Sequence, residues 1–165
     1  MPKLKPLDVK IDPIRCMGDW YVQRQIPAVS AFEKDVHNGK ESYTWDELKE
    51  KVTVKYTFNR GSHDAPVTTV YQKGWVKSNA GTEWRVAPWL GFFYLPFSLP
   101  YYIIDIDTND YSYMTAAGPS IKGNWLYVMT REKVVEESKI QKMLEVVEKN
   151  GFDLSQVATV PHKQD

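Results

Sequence analysis

The sequence predicts an all-β domain of antiparallel strands that ends in one helix. Three observations support this: short stretches in which apolar and polar residues alternate, turn-forming residues between those stretches, and a single amphipathic segment after the last of them. Short strands at this spacing, without helices between them, are typical of a sandwich or a barrel. The chain has 165 residues, of which 42% are hydrophobic, so it is long enough for one domain with its own core.

The alternation of side chains predicts where the strands lie. In residues 51–58, one face carries only apolar side chains, namely Val52, Val54, Tyr56 and Phe58. The same reasoning predicts a first strand from Gly18 onward and further strands at residues 67–71, 74–78, 82–87, 101–107, 111–116 and 124–130. These stretches make eight strands in all.

Two segments favour a helix. Thr44 and Glu47 have the spacing of a capping box, which predicts one or two helical turns up to Lys51. Residues 135–150 predict a longer helix with apolar side chains at helical spacing, namely Ile140, Met143, Leu144 and Val147. Gly151 then suits the position just after a helix. Because this helix follows the strands alone, we expect its apolar stripe to pack on the outside of the sheet.

Charge and cysteine content narrow the classes of partner. Lys and Arg together number 21, as do Asp and Glu, so the formal net charge is zero. Nucleic-acid binders normally carry a basic excess or stripe, so we expect no nucleic-acid partner. Cys16 is the only cysteine, which excludes a disulfide within the chain and a four-cysteine zinc site. We expect no metal and no cofactor.

The amino terminus has charges and prolines where a signal peptide needs an apolar run. We therefore expect a cytosolic or peripheral membrane protein, unless a leader was removed and the protein is periplasmic, secreted or plastid. Residues 86–104 lack charges and are long enough to cross a bilayer. Three prolines and a glycine interrupt them, so we do not expect a transmembrane helix there.

Three short motifs resemble those of the lipocalin family. Gly18-Asp-Trp20 resembles the Gly-x-Trp signature, Thr108-Asn-Asp110-Tyr111 resembles the second motif, and the stretch ending at Arg131 resembles the third. The tail after residue 136 and the apolar segment 92–100 are similar to the subgroup of bacterial outer-membrane lipocalin, plant temperature-induced lipocalins and apolipoprotein D. The resemblance implies an eight-stranded antiparallel up-and-down β-barrel with a C-terminal α-helix packed outside and a short final strand.

On this resemblance the whole chain, residues 1–165, is a single lipocalin domain. Residues 1–15 are expected as an N-terminal extension, 16–131 as the barrel, 135–150 as the helix and 156–160 as the short strand. Two features depart from the family pattern. The segment 26–49 is longer than the first loop of the bacterial form, and only a few residues around Gln72 and Lys73 join the expected third and fourth strands.

The resemblance also implies roles for individual residues. Trp20 is expected at the closed end of the barrel with Arg131 across it, and the structural motif residues are Gly18, Trp20, Asp110, Tyr111 and Arg131. Strand phase places Leu126 and Val128 outward beneath the helix. The expected ligand-binding residues face inward: Val54, Tyr56, Phe58, Trp84, Val86, Tyr102, Ile104, Tyr127 and Met129. The alternative is that these side chains fill the barrel as a solid core.

The function implied is non-covalent binding, with transport or scavenging, of a small hydrophobic ligand such as a fatty acid, a lysophospholipid or a similar membrane-derived lipid. The alternative is a lipocalin-fold enzyme acting on a lipid or isoprenoid, like violaxanthin de-epoxidase or an isomerase. Three histidines, His37, His63 and His162, lie in expected loops or the tail without ligand-like spacing, and nothing near Cys16 in sequence would activate its thiol. We therefore expect a binding protein and no catalytic residue.

The segment 92–100 is more apolar than a solvated turn requires. The resemblance places it at the open end of the barrel, where five side chains form an expected membrane or mouth loop: Phe92, Phe93, Leu95, Phe97 and Leu99. Three interpretations stay open for this loop. It contacts a membrane peripherally, it contacts a second copy in a homodimer, or it folds over the mouth as a lid.

Overall fold

A computed structural model describes residues 3–28, 34–89, 93, 96–120 and 123–164. Eight antiparallel strands, each paired with the next, form a barrel that closes where β1 pairs with both β2 and β8. The strands are β1 (Gly18–Ile26), β2 (Val36–Asp46), β3 (Lys51–Arg60), β4 (Val67–Val76), β5 (Glu83–Pro88), β6 (Leu99–Ile106), β7 (Tyr113–Ser120) and β8 (Gly123–Thr130). The predicted all-β, up-and-down barrel is confirmed.

The elements after the barrel also agree with the prediction. Helix α1 (Glu137–Lys149) lies within the expected residues 135–150, and the short strand β9 (Ala158–Thr159) pairs with β1 outside the barrel. Single 3-10 turns occur at Pro13–Cys16 and Leu154–Gln156. None of the helices in the described part of the chain has the length and apolar character to span a membrane.

The predicted loop over residues 26–49 is wrong, because β2 runs through it and no helical turns form at Thr44. The chain turns only after β2, where the carboxylate of Asp46 accepts hydrogen bonds from the backbone N–H groups of Leu48 and Lys49. The alternation of β2 is hidden because its inward positions carry Gly39, Glu41 and Tyr43 rather than an apolar series.

The predicted break around Gln72 and Lys73 is also wrong. Residues 67–71 and 74–78 were predicted as two strands, but β4 continues through Gln72 and Lys73, and β3 joins it by a turn at residues 61–66. Gly74 interrupts the pattern of side chains because the backbone carbonyl of Arg85 approaches it closely, and a Cβ there would lie 3.3 Å from that oxygen. The prediction omitted β2 but counted β4 as two strands. These two errors offset each other, so the predicted number of eight strands was correct.

Helix α1 covers one outer face of the barrel. Its four apolar side chains, Ile140, Met143, Leu144 and Val147, are buried as predicted, together with Leu126 and Val128 of β8. Gly151 ends the helix with a φ of +92°, and its N–H donates to the carbonyl of Glu148 while Phe152 donates to the carbonyl of Val147. This pair of bonds is a Schellman motif, which favours glycine.

Candidate ligand-binding site

The interior of the barrel contains a cavity of about 370 Å³. This volume lies within the range of small-molecule pockets, roughly 300–1,000 Å³. Most of the wall is apolar or aromatic, and it consists of Ala28, Glu41, Val54, Tyr56, Phe58, Thr68, Val70, Gln72, Val86, Pro88, Leu99, Tyr101, Trp125 and Tyr127. The mouth lies near Pro88 and Leu99, which flank the β5–β6 loop.

The predicted ligand-binding residues fall into three groups. Five of them line this cavity: Val54, Tyr56, Phe58, Val86 and Tyr127. Trp84 and Met129 also face the barrel interior and are fully buried, but they lie outside the cavity wall. Trp84 packs toward the closed end, where its indole N–H donates to the carbonyl of Gly81 at 2.8 Å.

The inward orientation predicted for Tyr102 and Ile104 is wrong. Both belong to the outer cluster beneath α1, and their neighbours Tyr101 and Ile103 face the interior instead. Alternation could not decide this, because both faces of β6 are covered and the run of residues 101–104 is apolar or aromatic throughout. A β-bulge after Ile103 shifts the register again toward the end of the strand.

A continuous series of aromatic rings forms much of the cavity wall. The ring of Tyr56 stacks on Tyr127, with centroids 5.7 Å apart, and Tyr127 contacts Trp125 at 5.5 Å. Trp125 contacts Tyr101 at 5.4 Å. Since the ring faces are weakly negative, this wall suits apolar surfaces and also cations.

Buried tyrosines form the floor of the cavity. The hydroxyls of Tyr43 and Tyr101 lie 2.7 Å apart in a hydrogen bond, and the ring of Tyr101 stacks on Trp84. Burial raises the pKa of Tyr43 well above its usual value, and the neighbouring Tyr101 and the Glu41 carboxylate raise it further. Burial likewise raises the pKa of Tyr101. Both hydroxyls are therefore neutral at physiological pH.

Sequence reasoning missed the polar groups of the site. Glu41 is only 5% exposed and lines the cavity from β2, in the segment that was predicted as a loop. Gln25, on β1, is buried and its side-chain oxygen accepts a hydrogen bond from the hydroxyl of Tyr56 at 3.3 Å. Glu41 pairs with the inward-facing Tyr56 in the register of β2 and β3. This pairing would have identified Glu41 as a wall residue, but only if β2 had been recognised as a strand.

The structural motif residues meet at the opposite end of the barrel. The guanidinium of Arg131 donates to the backbone carbonyls of Arg15, Asp19 and Tyr111 at 2.8–3.2 Å. Gly18 has a φ of +98°, and a Cβ there would lie 3.2 Å from this guanidinium. This end is therefore closed by backbone and side chain together.

The second motif forms a tight turn whose central group is Asp107, a residue that the sequence reasoning did not single out. Its carboxylate accepts hydrogen bonds from the N–H groups of Asn109, Asp110 and Ser112. Tyr111 adopts a φ of +53°, and its hydroxyl accepts from the N–H of Asp12 at 2.9 Å. The turn therefore attaches the segment before β1 to the barrel.

Neither Cys16 nor the histidines form a reactive arrangement. Burial raises the pKa of the Cys16 thiol to about 12, and the positive charge of Arg131 offsets only part of this. The thiol therefore stays protonated, whereas a nucleophilic cysteine requires a thiolate. His37 lies in β2 rather than in a loop, with its ring 5.0 Å from that of His63. Within the described residues, no three His, Cys, Asp or Glu side chains are grouped to hold a metal ion.

The mouth loop is described only in part. Phe93 and Phe97 are 42% and 54% exposed, and Leu99 lines the cavity. Phe92 and Leu95, also predicted for this loop, lie outside the described residues. The guanidinium of Arg85 donates to both the hydroxyl and the carbonyl of Ser98, which fixes the end of the loop where β6 begins.

A larger groove of about 550 Å³ lies outside the barrel, beside α1. Charges of both signs line it, including Asp105, Glu132, Lys139 and Lys142. Such a wall is a poor match for a wholly apolar ligand, whereas the interior cavity is mainly apolar. The barrel interior is therefore the candidate ligand-binding site.

Comparison with known proteins agrees with this architecture. Residues 11–162 match the family model described as a lipocalin-like domain. The chain is 26% identical over 170 aligned positions to the outer membrane lipoprotein Blc of Vibrio cholerae, covering 88% of this chain and 90% of that protein. Among solved structures, insecticyanin from the tobacco hornworm Manduca sexta matches with a TM-score of 0.75 and 14% identity, covering 99% of this chain and 86% of that one. The cockroach allergen Per a 4 matches with a TM-score of 0.70 and 17% identity, covering 99% and 94%.

Proposed function

The chain belongs to the lipocalin family, whose fold binds small hydrophobic ligands, and on that premise we propose that it carries a membrane-derived lipid in the barrel cavity. Fatty acids, lysophospholipids and similar single-chain lipids are the proposed ligands, and transport or scavenging is the proposed role. The observation that supports this is the cavity of about 370 Å³ with its largely apolar wall, open at the end opposite Arg131. Burial of an acyl chain there is favourable by roughly 25 cal/mol per Å² of apolar surface.

Native mass spectrometry of the purified protein tests this proposal. We expect a one-to-one complex with a lipid that organic extraction releases and identifies. Protein stripped of lipid should bind one added lysophosphatidylcholine or one long-chain alcohol per chain. If neither an extracted nor an added lipid binds, the proposal is wrong. If an added lipid is converted to a product, the enzyme alternative replaces it.

The mouth loop favours a second element of the proposal, that the protein contacts membranes with its open end. Phe93 and Phe97 are exposed next to the mouth, where they would enter a bilayer interface at about 1.5–3 kcal/mol each for full burial. The relative from Vibrio cholerae is an outer membrane lipoprotein. The net charge of this chain is zero, so the contact should depend little on salt.

Flotation with phosphatidylcholine vesicles tests the membrane contact. We expect part of the wild-type protein to float with the vesicles at low and high salt, and Phe93→Ser/Phe97→Ser to remain in the soluble fraction. Val134→Ser is the matched control, since Val134 is 57% exposed on the outside of the barrel. Equal flotation of wild type and the double variant, or no flotation at all, would instead favour a lid or a homodimer contact.

A further inference from the structure

The cavity has a polarity that narrows the ligand class. Resting on the proposed function, we infer that among single-chain lipids the cavity prefers those with a cationic group over the fatty acids named above. The protonated amine or quaternary ammonium group is held beside Glu41, and the apolar body extends toward the mouth. The ligand would therefore enter with its charged end first.

The charge of the wall supports this assignment. Among the described residues that line the cavity, Glu41 is the only Asp, Glu, Lys, Arg or His. The tyrosines of the wall are weak acids and stay neutral. Glu41 is 5% exposed, so water would poorly screen an ion pair between its carboxylate and a ligand cation, and the attraction within that pair would be strong. A carboxylate buried in an apolar site favours a cationic ligand group and disfavours an anionic one.

The aromatic series supports the same choice. The rings of Tyr56, Tyr127, Trp125 and Tyr101 follow one another around the wall on which Glu41 also lies. Faces of tyrosine and tryptophan attract ammonium groups within about 6 Å, and proteins use such rings to recognise quaternary ammonium ligands. A fatty-acid carboxylate would gain nothing from these faces.

The depth of Glu41 sets the direction of binding. Glu41 lies two residues before Tyr43 on β2, so the two side chains point inward about 7 Å apart. Tyr43 belongs to the floor through its hydrogen bond to Tyr101, whereas Pro88 and Leu99 border the mouth. Glu41 thus lies one inward position from the floor on β2, and the apolar wall on the side of the mouth suits the body of the ligand.

Four ligands with the same ten-carbon chain test the inference: decylamine, decyltrimethylammonium, 1-decanol and decanoate. Each is titrated at neutral pH, below its micelle concentration, while the tryptophan fluorescence from Trp84 and Trp125 is followed. We expect both cations to bind at least about tenfold more tightly than decanol, which is the scale of a contact with a charged group. We expect decanoate to bind more weakly than decanol.

Glu41→Gln keeps the shape of the side chain and removes its charge. We expect this variant to bind decylamine and decanol with similar affinity, while Glu148→Gln on the exposed side of α1 behaves as wild type. Equal affinity of wild type for decylamine and decanoate would overturn the inference but leave the proposed function intact. Binding of none of the four ligands would instead contradict the proposed function. If Glu41→Gln fails to fold, the order of the four ligands on wild type still decides.

Discussion

The guanidinium carbon of Arg131 lies 3.8 Å from the centroid of the Trp20 indole ring. Trp20 is fully buried, and its indole N–H donates to the backbone carbonyl of Cys16 at 2.8 Å. The guanidinium therefore covers the ring with a cation–π contact while its own N–H groups bind backbone carbonyls around it. This arrangement closes the barrel at one end and leaves the other for a ligand.

Truncation of the buried indole should be costly. Trp20→Ala is expected to lower the free energy of unfolding by about 3–5 kcal/mol, because it leaves a large cavity and removes the ring beneath Arg131. Urea denaturation followed by circular dichroism measures the loss. Trp75→Ala is the control, since Trp75 is half-buried on the outside of β4, where only about 1 kcal/mol or less is expected. A loss for Trp20→Ala no larger than for Trp75→Ala would show that the indole does not stabilise the closed end.

A charge placed in the cavity wall should weaken ligand binding without unfolding the barrel. Tyr127→Asp is expected to weaken binding of the neutral dye N-phenyl-1-naphthylamine at least about tenfold, because an apolar ligand cannot compensate a second buried carboxylate. Tyr71→Asp, on the exposed outer face of β4, should bind the dye as wild type does. Dye affinity that is unchanged in a folded Tyr127→Asp variant would remove Tyr127 from the binding site.

Stability should fall at alkaline pH. Burial holds the pKa of Cys16 at about 12 and the pKa values of Tyr43 and Tyr101 well above their usual value, so the folded protein keeps protons that the unfolded chain releases from about pH 9 upward. The unfolded state then binds fewer protons, and the free energy of unfolding decreases with rising pH by up to about 1.4 kcal/mol per pH unit and group. Urea denaturation at intervals from neutral pH to about pH 11 measures this decrease.

Cys16→Ala separates the thiol from the tyrosines in this experiment. The stability of this variant should begin to fall about one pH unit higher than that of wild type, because the two remaining groups, both tyrosines, titrate near pH 10 in the unfolded chain. A free energy of unfolding that stays constant up to about pH 11 in wild type would contradict the burial of all three groups.

The end of α1 should be sensitive to the side chain at one position. Gly151→Ala is expected to cost about 1 kcal/mol, since the φ of +92° places its residue in the left-handed region. Gly151→Asn should cost less, because asparagine tolerates this region better than alanine does. Thermal unfolding of the two variants gives the comparison, and an equal loss in both would argue against backbone strain as the cause.

Local patterns in the sequence determined much of this protein. The alternation in residues 51–58 needed only neighbouring side chains, and the spacing of Ile140, Met143, Leu144 and Val147 predicted the buried stripe of α1. The motif residues Trp20 and Arg131 lie more than a hundred positions apart. Only the resemblance to the family predicted that they would be in contact. The strand and the helix are each encoded in a short segment that has one solvent face and one buried face, whereas the pair of Trp20 and Arg131 is not.

The tertiary structure alone decided what faces the cavity. One side of β6 faces the barrel interior and the other is covered by α1, so apolar residues occur on both sides. The sequence of β6 therefore does not show which residues point inward, and the inward prediction for Tyr102 and Ile104 was wrong. β2 was missed because Gly39 and Glu41 occupy inward positions, which interrupts the apolar series that marks a half-buried strand. Glu41 is a wall residue because β2 pairs with the neighbouring strand β3, which places Glu41 beside the inward-facing Tyr56. A local pattern of polar residues could not show this pairing.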